Sequence, residues 1–120
     1  MANILIVDDS ASMRQMIKFT LESDKHNVES GTDGSDGLNF TQKQQFDLII
    51  SDVNMPNMNG IDMTAKIREN PNYKSVPIIL LTTESGLDKK SEGKTAGATG
   101  WLVKPFNPDQ LLKIVKKVLM

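Results

Sequence analysis

The chain has 120 residues, no cysteine, and 14 Lys+Arg against 15 Asp+Glu, for a formal net charge of −1. This length suits one domain with a core large enough to fold unaided, and the missing cysteines exclude disulfide frameworks and thiolate metal sites. The balanced charge argues against nonspecific nucleic-acid or anionic-membrane binding, no apolar stretch approaches the ~20 residues of a membrane span, and MANILIVDDS lacks the basic flank of a signal peptide; a cytoplasmic protein is expected.

Ile4 to Val7 is a continuous apolar run that stops at Asp8-Asp9, the pattern of a buried strand with two acids at its carboxyl end. Ser10 is placed to cap a helix. Met13, Met16, Ile17, Thr20 and Leu21 recur there at helical spacing, with Arg14, Gln15 and Lys18 on the solvent side. Val28 to Ser30 carries only a faint strand pattern. Gly31 to Gly37 reads as a Gly-, Asp- and Ser-rich connection, and residues 36–45 as a short, poorly amphipathic helix.

Leu48 to Ile50 is the next apolar run, and Asp52 appears as it stops. Pro56 cannot continue a central strand, and Asn57 with Asn59-Gly60 supplies turn chemistry. Ile61, Ala65, Ile67 and Arg68 suggest a third helix that stops near Asn70-Pro71. Val76 to Leu81 is another buried run, ending in Thr82-Thr83. Residues 87–97 predict a marginal helix, since Gly93 and Gly97 each cost about 1 kcal/mol relative to Ala. Trp101 to Val103 is a last strand, closed by Lys104-Pro105. Asn107 as cap and Pro108 at the first helical position begin a final helix. Its apolar stripe is Leu111, Ile114, Val115 and Val118, and Lys113, Lys116 and Lys117 face water.

Continuous apolar strands alternating with amphipathic helices imply an α/β fold, a parallel sheet covered on both faces. The strand-end residues would then share one edge, where ligands bind in open α/β sheets. Asp8, Asp9, Asp52, Thr82 and Lys104 converge there. Two like charges about 4 Å apart repel by roughly 4 kcal/mol at an effective dielectric near 20. Either one carboxyl is protonated or a cation sits among them. Oxygen ligands with room for water suit Mg²⁺.

As a set, ILIVDDS, IISDVNMPNMNG, ILLTTES and GWLVKPF make the whole chain resemble the receiver domain of bacterial two-component response regulators, specifically the stand-alone, CheY-like kind. The resemblance implies a doubly wound, flavodoxin-like five-stranded parallel sheet of order 2-1-3-4-5, one receiver domain over residues 1–120 and no output domain. It implies that Asp52 accepts a phosphoryl group from a histidine kinase or a small phosphodonor, with no catalysis beyond its own phosphorylation and dephosphorylation. Mg²⁺ would be held by the side chains of Asp9 and Asp52 and the backbone carbonyl of Asn54, with Asp8 acting through water. Lys104 would be the basic partner, joined to Pro105 by a cis bond, and Thr82 the switch hydroxyl. Asn54 and Glu84 would tune hydrolysis, and Trp101 stands where the family has its switch aromatic. A monomer is expected, read through residues 84–119 by a protein partner; in chemotaxis that partner is the flagellar motor switch.

Other readings compete. A small aspartyl-phosphate phosphatase would need a second acid two residues beyond its nucleophile, and that position is Asn54. A flavodoxin-like electron carrier would place a cofactor phosphate against Asp8-Asp9, which repel it. The resemblance points to the chemotaxis pathway, and a receiver serving another phosphorelay is the alternative the sequence leaves open. The seven methionines read as core filling, and His26, the only histidine, as a residue of a polar turn.

Overall fold

The apolar runs become five parallel strands, β1 (Asn3–Val7), β2 (Asn27–Gly31), β3 (Leu48–Asp52), β4 (Ile78–Thr82) and β5 (Gly100–Val103). Between and after them lie α1 (Ala11–Ser23), α2 (Gly34–Lys43), α3 (Gly60–Arg68), α4 (Leu87–Ala96) and α5 (Pro108–Val118). This computed structural model describes residues 2–83 and 87–120. The sheet runs β2-β1-β3-β4-β5, the doubly wound order expected.

Each strand sends alternate side chains to opposite faces, which divides the core into two layers. Ile4, Ile6, Leu48, Ile50, Ile79 and Leu81 pack with Ile17 and Leu21 of α1 and Leu111 and Val115 of α5. Leu5, Val7, Ile49, Ile78 and Leu80 pack with Met63 and Ile67 of α3 on the other side. β3 and β4 are buried along their whole length, as central parallel strands must be.

Among the described residues, four of the helix starts at the carboxyl edge of the sheet have a side-chain cap. Ser10, Asp33, Asn59 and Asn107 accept from the backbone N–H of Met13, Asp36, Asp62 and Gln110. Each such cap contributes roughly 0.5–2 kcal/mol. Pro108 occupies the first turn of α5, and Gln110 returns a bond to the Asn107 N–H.

Several boundaries differ from the sequence expectation, for identifiable reasons. α2 starts at Gly34, inside the stretch read as a connection, because Asp33 caps it. Its glycines serve close packing: a Cβ on Gly37 would stand 2.8 Å from both Val7 Cγ2 and Met63 Sδ. β3 runs on through Ser51 to Asp52, and β4 is displaced, beginning after Pro77 and ending on Thr82. In α3 the buried face is Met63, Thr64 and Ile67, while Ala65 is exposed. A 3-10 turn, Pro71–Tyr73, follows it, and the Tyr73 side chain is fully buried. Its hydroxyl donates to Gln44 O at 2.7 Å and accepts from Phe46 N at 3.0 Å.

Arg68, at the end of α3, is half-buried and ties four segments together. Its Nε and Nη2 donate to Gly97 O at 3.0 and 2.8 Å. Its Nη1 donates to Val76 O at 2.6 Å and also to Tyr73 O. His26 accepts from Ala2 N at 3.1 Å through Nδ1, a packing role for the turn histidine.

Candidate functional site

The parallel topology delivers the strand-end residues to one edge. Asp8 and Asp9 follow β1, Asp52 is the last residue of β3, Thr82 the last of β4, and Lys104 follows β5. Carboxylate oxygens of Asp8, Asp9 and Asp52 lie within 4.8 Å of one another. Asp8 is 1% and Asp52 8% exposed, whereas Asp9 faces solvent. Lys104 Nζ stands 3.3 Å from Asp8 Oδ2 and 3.3 Å from Asp52 Oδ1, bridging the two buried acids.

Backbone and side-chain contacts fix each group. The Asp8 N–H donates to Gly31 O at 3.1 Å, its Oδ1 accepts from Ser10 N at 2.9 Å, and its carbonyl accepts from Arg14 Nη1 at 2.6 Å. Arg14 therefore does more than the solvent-facing role assigned from helical spacing: it reaches back over the first turn of α1 to hold Asp8. No local pattern signals this, because the contact spans six residues around a helix start. Asp52 Oδ1 accepts from Val53 N at 2.9 Å. Thr82 is fully buried, and its carbonyl accepts from Lys104 N at 2.8 Å, joining the β4 end to the lysine loop. The Lys104-Pro105 bond is cis.

Burial is the main influence on Asp52 and pushes its carboxyl above the ordinary carboxylate range. The Asp8 charge adds to this, while Lys104 and the Val53 N–H oppose it. One ammonium does not compensate three clustered acids, so a further cation among them would be favourable. The donor set is oxygen only, partly open at Asp9, and meets the requirements of a hard divalent ion that keeps some of its waters. The arrangement can therefore hold a cation, present a carboxylate nucleophile beside it, and supply an ammonium to the same incoming anion.

The remaining predicted residues surround this cluster. Asn54 is exposed, two residues beyond Asp52 in the loop before α3. Trp101 is half-buried on the α3 side of the sheet, against Gly93 of α4 and near Leu80. Glu84 lies outside the described residues. What sequence reasoning missed is a tie from α2 to the loop after Asp52, in which Asn57 Nδ2 donates to Asp33 Oδ2 at 2.7 Å. The only signal was Asp33 itself, a capping residue within a stretch taken as loop.

Comparison with known proteins agrees with this geometry. A Vibrio cholerae structure described as chemotaxis response regulator CheY4 superposes with a TM-score of 0.96 at 53% identity, covering 99% of each chain. The receiver domain of the Pseudomonas aeruginosa PAO1 sensor histidine kinase PA1611, solved with a magnesium ion in its active site cleft, gives 0.91 at 29% identity, covering 98% of this chain and 97% of that one. Response regulator ArlR of Staphylococcus aureus is 35% identical over 119 residues, covering 99% of this chain. The chain spans about half the length of such curated relatives, 53% for ArlR. Residues 4–116 match the family described as response regulator receiver domain. The chain belongs to the receiver domain family of two-component response regulators.

Proposed function

We propose that this protein is a phosphorylation-switched signalling module in which Asp52 accepts a phosphoryl group from the phosphohistidine of a histidine kinase. The observation that carries this reading is the cluster of Asp8, Asp9 and Asp52 within 4.8 Å, with Lys104 3.3 Å from two of them. A carboxylate oxygen of Asp52 attacks phosphorus, the O–P bond forms, and the P–N bond breaks with its electron pair leaving on the histidine nitrogen. The side chains of Asp9 and Asp52, the Asn54 carbonyl, and Asp8 through water would hold Mg²⁺. When bound, the ion supplies positive charge to the phosphoryl oxygens.

Lys104 leaves its two carboxylates and places its ammonium on the transferred group. Thr82, at the adjacent strand end, donates its hydroxyl to a phosphoryl oxygen, and Trp101 and α4 respond. Asn54 and Glu84 set how fast water returns Asp52 to its free state. A bound cation would oppose the upward push that burial and Asp8 exert on the Asp52 carboxyl.

For the pathway, the 53% identity to a Vibrio cholerae chemotaxis regulator, covering 99% of both chains, supports a receiver acting in chemotaxis. A chemotaxis kinase would act upstream and the flagellar motor switch would read the face carried by α4, β5 and α5. A second reading, the receiver of another phosphorelay or of a longer regulator, is favoured by the ArlR match.

Mass spectrometry after incubation with acetyl phosphate and Mg²⁺ tests the chemistry. A phosphoryl adduct is expected on wild type and absent in Asp52→Asn. No adduct on wild type, or equal modification of the variant, removes this reading. Capture of motor-switch protein only by protein loaded with BeF₃⁻ and Mg²⁺ would support the chemotaxis assignment, and equal capture without loading would oppose it.

A further inference from the structure

The loop between β3 and α3 is secured at both its base and its tip. At the base, Gly60 N donates to Val53 O at 2.9 Å. At the tip, Gly34 N of α2 donates to Met58 O at 3.1 Å, an approach so close that a Cβ on Gly34 would stand 2.2 Å from that oxygen. Beside it, Asn57 Nδ2 donates to Asp33 Oδ2 at 2.7 Å, while Asp33 Oδ1 caps α2 through Asp36 N at 2.8 Å. Asn57 takes φ 68, a left-handed conformation that Asn tolerates.

One carboxylate thus serves two segments, and the Asp36 N–H, then the Asn57 amide, lower its pKa. A Ser would cap α2 as well as Asp does. Its single oxygen, one bond nearer the backbone, would not also reach Asn57. The second oxygen of Asp33 therefore has a use beyond the helix. Asn54 lies between the secured base and the secured tip of the loop.

We infer that Asp33 is a positioning residue for the phosphoryl-transfer site: through Asn57 it fixes the loop backbone that carries Asn54, and so sets the affinity for Mg²⁺. This rests on the Asp52 acceptor reading above. Mutating the outer partners of a metal's ligands typically costs about 10–100-fold in affinity. Acting through a loop, Asp33 falls at the lower end of that range.

The test is calorimetric Mg²⁺ titration of the wild type, Asp33→Ser, Asn57→Gly, the double variant and Asp33→Asn. Asp33→Ser keeps the cap, and Asn57→Gly keeps the left-handed backbone, so both are expected to fold. Each should bind Mg²⁺ on the order of tenfold more weakly, and the double variant no more weakly than the worse single one. Asp33→Asn can cap α2 with its oxygen and meet a flipped Asn57 amide with its nitrogen, so its affinity should stay near wild type. In metal-free protein, amide exchange over residues 54–58 should accelerate in Asp33→Ser and Asn57→Gly but not in Asp33→Asn.

If wild type binds Mg²⁺ and gains the Asp52 adduct, yet both single variants bind and exchange as wild type does, the positioning role is wrong and the acceptor reading stands. A lower melting temperature for Asp33→Ser with unchanged Mg²⁺ affinity would likewise reduce Asp33 to a helix cap. A wild type that binds no Mg²⁺ and gains no adduct overturns both.

Discussion

Gly93 of α4 lies directly against the indole of Trp101: a Cβ built on Gly93 would stand 2.3 Å from Trp101 Cζ2 and 3.1 Å from Leu80 Cδ1. The seat for this aromatic exists because residue 93 has no side chain. Gly93→Ala should gain about 0.5–1 kcal/mol of helix propensity, yet overpacking costs about 1–3 kcal/mol. A net loss on the order of 1 kcal/mol is expected. Trp101 is the only tryptophan, so its emission should shift to the red as the ring is displaced toward water. A stabilised variant with unchanged emission would refute the seat.

The charge cluster predicts an inverse relation between stability and ion binding. Since burial and Asp8 push Asp52 up, its ionised form opposes folding of the metal-free protein. Asp52→Asn should therefore melt higher than wild type in the presence of a chelator. Mg²⁺ at about 100 times its Kd should stabilise wild type by about 2.7 kcal/mol and the variant much less. A variant that melts lower than wild type in chelator contradicts this.

Lys104 competes with any cation for Asp8 and Asp52, at 3.3 Å from each. Lys104→Met should destabilise the metal-free protein by up to about 3 kcal/mol, because Asp8 keeps a buried, unmatched charge. The same change should tighten Mg²⁺ binding in calorimetry while slowing Asp52 phosphorylation. Weaker Mg²⁺ binding in this variant would show that the ammonium does not stand in for the ion.

Tyr73→Phe removes a hydroxyl that donates to Gln44 O and leaves the Phe46 N–H without its acceptor. A loss of about 1–3 kcal/mol in urea unfolding is expected. Burial first raises the Tyr73 pKa above 10.0, and Asp47 adds to the rise. The neutral phenol is thus the form that the fold prefers. Its contribution is complete below 10.0 and is lost as pH rises through the raised value. Wild type should lose stability over that interval more steeply than Tyr73→Phe. Parallel alkaline curves would count against it.

Apolar periodicity and turn chemistry are enough to read the alternation apart from β2, whose pattern is faint, and the strand ends locate Asp8, Asp9, Asp52, Thr82 and Lys104. These succeed because each is a local signal ordered by one topology. The second helix is legible but its start is read two residues late, because Gly34 and Gly37 oppose helix formation locally and are retained for the approach of Met58 and of Val7 and Met63. Arg14, Arg68 and the Asp33–Asn57 pair were illegible for a different reason. Their partners are mainly backbone carbonyls or residues from distant segments, and nothing in a sequence window marks a carbonyl as an acceptor. Trp101 was recognisable by position, but its seat depended on a glycine read only as a cost to α4.

The guanidinium of Arg68 holds Gly97 O at 2.8 and 3.0 Å, immediately past the last residue of α4. Those two bonds anchor that end of the helix. With about 1.5 Å of rise per residue, α4 is a lever roughly 15 Å long. A tilt of about 10° about Gly97 carries its opposite end by roughly 2.5 Å. Any displacement of α4 about this tie would therefore be largest at its first turn and smallest near Ala96.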